Sequence, residues 1–365
     1  MNKELLKFID SLPKTLVILI IINCLYGFVI LYSAGYNHLD QWAFKQIINF
    51  LIFFPVMIFI AYMDLKVIFK YSYIFYFVVL SMLLLVELFG HSAMGAKRWL
   101  NIGGIRLQPS EPAKIAIVLC LARYFHSLKA EYIGKVRYLI PAIIAVIIPS
   151  ILIIKQPDLG TGMVLLGISG MIFFVSGVRL WKFVALISAS LISLPFIWSK
   201  LHDYQKKRIE VFLNPDQDPL GSGYNIIQSK IAIGSGGLFG KGLGQGTQSH
   251  LSFLPEHQTD FIFGCLAEDL GFIGTAVLII LYAVIIYMSL SIAINAKNVF
   301  GKIVATGVTS IFFCHVCINI GMVSGLLPVV GIPLPLISYG GTMMASILIG
   351  FGLILNIHVN QYSKL

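Results

Sequence analysis

Leu254-Pro255-Glu256-His257-Gln258-Thr259-Asp260-Phe261-Ile262-Phe263 marks the point where a long polar, glycine-rich segment gives way to a very apolar run. That run, 260–293, carries only Asp260, Glu268 and Asp269 as charges. It exceeds the ~20 residues a helix needs to cross a bilayer. The stretch therefore sets a carboxylate where a water-exposed loop meets hydrocarbon, and such a group is either a helix cap or part of a chemistry.

The rest of the chain carries the same signature. Of 365 residues, 58% are hydrophobic and 12% charged, with mean hydropathy +0.89, whereas soluble domains carry ~25% charged residues. Ten apolar segments can be read, at about 14–34, 46–63, 71–89, 112–126, 138–155, 160–177, 181–199, 260–293, 302–325 and 336–358. The expectation is an all-α polytopic integral membrane protein, a single transmembrane domain over 1–365 with about ten spans. Lys3, Lys7 and Lys14 precede an apolar run too long for a signal core, so the first helix should stay.

An even number of spans puts both termini on one side. Lys66 and Lys70, Lys129, Lys135 and Arg137, Arg179 and Lys182, and Lys297 and Lys302 fall in alternate short loops, while the short opposite loops hold only Lys45 and Lys155. Cations mark the cytoplasmic side, so both termini should be cytoplasmic. The net charge of +10 then reports orientation rather than nucleic-acid binding. Two long outer loops, 90–111 and 200–259, the larger between helices 7 and 8, are basic nonetheless. Their cations suggest an anionic ligand.

Within loop 90–111, Ser110 reads as a helix N-cap and Pro112 as a first-turn residue, with Glu111 and Lys114 on one face of the helix mouth. A lysine entering an apolar run needs compensation, either from Glu111 or from an anion in a polar cavity. Asp158, in Gln156-Pro157-Asp158-Leu159-Gly160-Thr161, reads as a cap that can also join those charges.

His202 to Glu210 is a basic stretch suited to lipid phosphates or a solvated face, and the isoleucines at 226, 227, 231 and 233 suggest a short interfacial helix. Gly234–Gly246 lacks the Ser or Thr that a nucleotide loop places after its lysine and reads as flexible backbone. Cys314-His315-Val316-Cys317 has neither haem order nor a second ligand pair, and its cysteines read as small buried side chains. Three prolines and four glycines in 325–342 predict a broken segment, which a membrane tolerates only where it is buried in protein or lines a wet cavity.

Gly95-Ala-Lys-Arg-Trp99, Gln108-Pro-Ser-Glu-Pro-Ala-Lys114, Gln156-Pro-Asp-Leu-Gly-Thr161, Pro255-Glu-His-Gln-Thr-Asp-Phe261 and Pro335-Leu-Ile-Ser-Tyr-Gly-Gly-Thr342 together resemble the SEDS family (shape, elongation, division and sporulation). Gly321 to Gly331 looks more like its RodA branch than its FtsW branch. The resemblance spans about 15–360. It implies a ten-helix fold in the bacterial cytoplasmic (inner) membrane with the active side facing the periplasm. The implied activity is a peptidoglycan glycosyltransferase that polymerises lipid II for cell elongation and rod shape. The implied partners are a class B penicillin-binding protein transpeptidase, other elongation-complex proteins and membrane lipids.

Carried over by motif, the essential aspartate is Asp260. The cavity charges match Glu111, Lys114 and Asp158, and Arg98 and Arg106 match basic positions of the outer loop. Glu256 and Ser338, inside the matching motifs, are expected with them as substrate-binding or cavity residues. One departure is Ser252, where relatives often carry an acid.

The reaction implied is displacement of undecaprenyl pyrophosphate by a sugar hydroxyl, with inversion at the anomeric carbon. It needs a base and a cation for the leaving group. Asp260 is expected as that base or as the carboxylate positioning a divalent cation (Mg2+ or Mn2+), with Arg98, Arg106 and Lys114 on the phosphates. No organic cofactor is expected. Competing readings are a lipid II flippase and a non-catalytic scaffold for the transpeptidase.

Overall fold

The computed structural model describes residues 8–35, 38, 42–93, 96–200, 203–218, 221–247 and 256–361; Ser252 lies outside them. Each of the ten apolar runs carries a helix, the last starting only at Gly341 rather than 336: α1 (Lys14–Ala34), α2 (Ala43–Tyr62), α3 (Leu65–Phe89), α4 (Ser110–Ser127), α5 (Val136–Lys155), α6 (Leu159–Val175), α7 (Leu180–Lys200), then, after α8 (Asp203–Leu213) and α9 (Ser222–Ser235), α10 (Ile262–Asn295), α11 (Val299–Val323) and α12 (Gly341–Val359). Among the described residues seven of these, α1, α2, α3, α5, α10, α11 and α12, are long and apolar enough to cross a membrane. The protein is a polytopic membrane protein. Its outward faces expose large apolar side chains such as Phe59, Phe77, Leu88 and Tyr287, as a bilayer solvent demands.

The centre of the bundle is α11, packed against α4, α6, α10 and α12. Its polar side chains Thr306, Thr309, Ser310, His315 and Asn319 are all buried. Two cysteines depart from expectation: Cys314 is half-exposed and Cys317 exposed, because they sit on the outward face of this helix.

The described residues of the first long loop depart from a purely helical fold. β1 (His91–Ala93), β2 (Ala96–Ile102) and β3 (Ile105–Leu107) form an antiparallel sheet in that order. Ile102 pairs with Ile105 across Gly103 and Gly104, at φ 58 and 86. Two consecutive left-handed residues make the tight hairpin turn that matches strand twist, which is why the Gly-Gly pair sits there.

The glycine-rich segment 234–246 is pinned rather than flexible. Helix α10 breaks at Gly271 (φ 66, ψ −163), which frees carbonyls before the break and amides after it. Lys241 and Gly242 amides donate to the Glu268 and Asp269 carbonyls at 3.0 Å each, and the Phe272 and Ile273 amides donate to Gly237 and Leu238 carbonyls at 2.9 and 3.2 Å. The loop thus re-satisfies the broken helix, the condition for irregular backbone at membrane depth. A side chain at Gly240 would run into the Asp269 carbonyl and one at Gly271 into the Gly240 amide.

Nearby, Glu268 pairs with Lys241 at 2.7 Å, and Ser33 donates to Asp269 while accepting from the Gly244 amide at 2.7 Å. These two intramembrane acids hold the loop in place. The expected interfacial helix exists as α9, but Ile226, Ser229 and Ala232 are buried and it packs on α10.

Candidate active site

The loop-rich end of the bundle is knotted together by the buried segment 331–340. It is too rich in proline and glycine to be helical, so its backbone carbonyls need partners from side chains. Each comes from a different direction. Asn319 Nδ2 donates to Ile332 O at 2.7 Å, Tyr282 Oη to Pro335 O at 2.7 Å, and Gln46 Nε2 to Ser338 O at 2.9 Å. The Ser338 hydroxyl accepts from the Leu334 amide at 2.7 Å and donates to Thr259 O at 2.6 Å. The structure thus makes Ser338 a staple between two loops, with both its hydrogen-bonding directions spent on backbone.

That staple positions Asp260. The amides of Thr259, Asp260 and Phe261 all turn toward Glu256 O at 3.1, 3.2 and 3.4 Å, with Glu256 itself at φ 53. Helix α10 begins only at Ile262, with Phe261 as its N-cap. Asp260 is therefore not a cap of α10: the turn around the Glu256 carbonyl consumes Thr259, Asp260 and Phe261, and Asp260 stands just ahead of the helix. Asn319 Nδ2 also donates to Asp260 O at 2.8 Å, while Gly331 faces the Asp260 carboxyl with no side chain between.

The second group of charges arrives on α4 and α6. Ser110 is likewise not the cap of α4, which starts at Ser110 itself after Pro109, with no side chain capping it. Asp158 does cap α6, accepting from the Thr161 amide at 3.3 Å, and stands 3.5 Å from Gln108 Nε2. Lys114 Nζ lies 2.8 Å from Glu111 Oε1, both side chains buried. The ion pair that offsets the cost of a membrane lysine is present, and it borders a cavity of about 10 Å³ lined otherwise by apolar groups and Ser346. Arg98, on β2, donates from Nε to Gln156 O at 3.2 Å and from its terminal nitrogen to Pro157 O, so the sheet is clipped to the start of α6. Arg106 on β3 is exposed, its carbonyl accepting from Thr342 Oγ1 at 3.5 Å.

Asp260, Glu256, Asp158, Arg98 and Arg208 share one electrostatic site, while the Lys114–Glu111 pair borders a separate, mostly apolar cavity and Arg106 is exposed. Burial pushes the half-buried Asp260 carboxyl up to about 7; Glu256 adds to the rise, Arg98 opposes it, Asp158 adds again and Arg208 opposes it. A carboxyl ionised around neutrality, beside two guanidinium groups, suits proton abstraction next to a polyanion. Arg208 on α8 is a member that sequence reading assigned only to lipid phosphates or a solvated face. Asn319 and His315 were missed because an isolated polar residue in an apolar helix does not reveal its partner. Glu256 is tied locally, accepting from Gln258 Nε2 at 3.2 Å and Thr259 Oγ1 at 3.3 Å. Among the described residues no three His, Cys, Asp or Glu side chains gather as a metal site; Asp158 and Glu256 are already engaged as described.

Comparison with known proteins places the chain in a family. The cell cycle protein family of FtsW, RodA and SpoVE matches residues 13–363. The peptidoglycan glycosyltransferase MrdB of Escherichia coli (strain K12) is 40% identical over 96% of this chain and 94% of its own. Among solved structures, one described as showing structural coordination of polymerization and crosslinking by a peptidoglycan synthase complex superposes at TM-score 0.83, with 27% identity over 97% of this chain and 99% of that chain. The rod shape determining protein RodA of Thermus thermophilus superposes at 0.72, with 26% identity over 97% and 98%. The chain belongs to the SEDS family of FtsW, RodA and SpoVE, the family of peptidoglycan glycosyltransferases that includes its relative MrdB.

Proposed function

We propose that this chain joins lipid II disaccharide-pentapeptide units into glycan strands, releasing undecaprenyl pyrophosphate, for cell elongation and rod shape. The observation that carries the reading is Asp260: a half-buried carboxyl held up to about 7 and flanked by Arg98 and Arg208. In the ionised form it takes the proton of the incoming sugar hydroxyl as that oxygen attacks the anomeric carbon. The bond to the pyrophosphate breaks on the opposite face, with inversion, and the departing negative charge meets Arg98, Arg208 and Lys114. A divalent cation, Mg2+ or Mn2+, would add charge for the same leaving group; rates with and without chelator decide whether one takes part.

The proposal extends to placement. All ten helices of the bundle span the bacterial cytoplasmic membrane, both termini are cytoplasmic, and the Asp260 end faces the periplasm. A class B penicillin-binding protein crosslinks the product. The test is lipid II presented only on the outer face of proteoliposomes holding this chain and that partner. Strands formed there support a polymerase. No strands, with lipid II crossing the bilayer instead, would make the chain a flippase, and strands that persist unchanged in Asp260→Asn would leave it a scaffold.

A further inference from the structure

His315 lies outside the motifs that first drew attention to the site, yet it is the second partner of its buried lysine. Lys114 Nζ stands 2.6 Å from His315 Nε2 and 2.8 Å from Glu111 Oε1. His315 and Lys114 are each 2% exposed, so neither contact is a passing surface encounter. An ammonium offers three N–H donors and no acceptor. Nε2 must therefore accept, which leaves the imidazole proton on Nδ1. That atom faces Pro333 O at 3.4 Å, the long end of hydrogen-bond reach. One tautomer satisfies both contacts, and the ring bridges the lysine to the segment on which Asp260 rests.

The continuation is short. One helical turn further along α11, Asn319 holds Ile332 O and Asp260 O together, and Gly331 lies against the Asp260 carboxyl. The three consecutive residues 331–333 thus meet Asp260, Asn319 and His315 in that order. Behind them stands Lys114, with two of its three N–H groups taken by Glu111 and His315 and one left over.

We propose that His315 is a positioning residue for the reaction: protonated on Nδ1, it accepts from Lys114 and ties the ammonium, through Pro333, to the same segment that supports Asp260. The remaining Lys114 N–H is thereby aimed at a fixed place relative to the carboxylate. This rests on the reading of Lys114 as a phosphate ligand given above. A displacement of about 1 Å of a binding group costs roughly 10²-fold in rate, so loss of the imidazole acceptor should be felt even though the ring touches no substrate.

The test measures strand formation against lipid II concentration for the full chain with its partner, in His315→Leu, His315→Gln, Lys114→Met and Lys114→Met/His315→Leu. The expected result is a fall in kcat/KM of roughly 10- to 100-fold for His315→Leu and recovery of most of it in His315→Gln, whose amide oxygen can accept at similar reach. Residues acting through one contact are non-additive, so the double variant should be no slower than Lys114→Met alone. Wild-type rates in His315→Leu alongside an impaired Lys114→Met overturn the inference alone. Wild-type rates in Lys114→Met overturn it together with the reading of Lys114 as a phosphate ligand. If His315→Leu does not accumulate, because it leaves a buried ammonium without its acceptor, the double variant and Lys114→Met are compared directly. Equal rates support the link, and a further roughly tenfold loss in the double variant, as independent contributions would give, overturns it.

Discussion

A change of pH from 6 to 8 should raise the rate of strand formation about tenfold, because a group ionising at about 7 is ~10% charged at the lower pH and ~90% at the upper. The causes of the shift also assign the direction in which neighbours move it. Glu256 raises the pH at which Asp260 ionises, so Glu256→Gln should slide the rise in rate to lower pH. Arg98 lowers it, so Arg98→Gln should slide the rise to higher pH. The absolute rates of both variants will fall for other reasons, and the opposed displacements are what the electrostatics specify. The assay is initial rate against pH at fixed lipid II, with the chain checked for integrity at each pH. That check matters, since a carboxyl raised in the folded state binds more protons there than when unfolded. Its contribution to stability is complete at low pH and declines as pH rises from the ordinary carboxylate range to about 7. Rate and stability should therefore run in opposite directions across neutrality. A profile flat between pH 6 and 8, falling only near pH 4, would refute the reasoning.

Three further outcomes follow from the packing. Asn319→Leu strips the Asp260 and Ile332 carbonyls of their common donor, and should cost roughly 1–3 kcal/mol, read as a lower Tm, along with activity. Gly271→Ala places a side chain against the Gly240 amide at a left-handed position, so it should destabilise by about 1–3 kcal/mol and release loop 237–242 to proteolysis. Lys241→Ala removes the ammonium paired with the buried Glu268 at 2.7 Å, and its loss of thermal stability should be largely repaired by adding Glu268→Gln.

The helices were legible because hydrocarbon imposes a simple rule: each of the ten apolar runs carries a helix, and among the described residues seven of these are long and apolar enough to cross a membrane. The ends were less so. Ser110 and Thr259 have good capping side chains, yet tertiary contacts fixed their backbones otherwise: Thr259 is pulled into a turn around the Glu256 carbonyl, and α4 starts one residue early, after Pro109. The buried ion pair of Glu111 and Lys114 could be read from spacing alone, since three residues along a helix bring side chains together. Asp158 as a cap was legible for the same local reason. Arg208, His315 and Asn319 were not, because each meets its partner from a distant part of the chain, His315 from 201 residues beyond Lys114 and Asn319 from 59 beyond Asp260, which no local pattern encodes. The glycine-rich loop misled in the opposite sense. Its glycines serve close backbone approach at Gly240 and Gly271 rather than mobility, and that needs both sides of the contact to be seen.

The central claim is that Asp260 is the reacting carboxylate. The measurement that tests it most directly compares wild type with Asp260→Ala, each purified with the class B partner, for glycan strands formed from fluorescent lipid II. The account predicts that Asp260→Ala assembles with its partner normally and forms no strands. Strands of normal length and yield from that variant would contradict it.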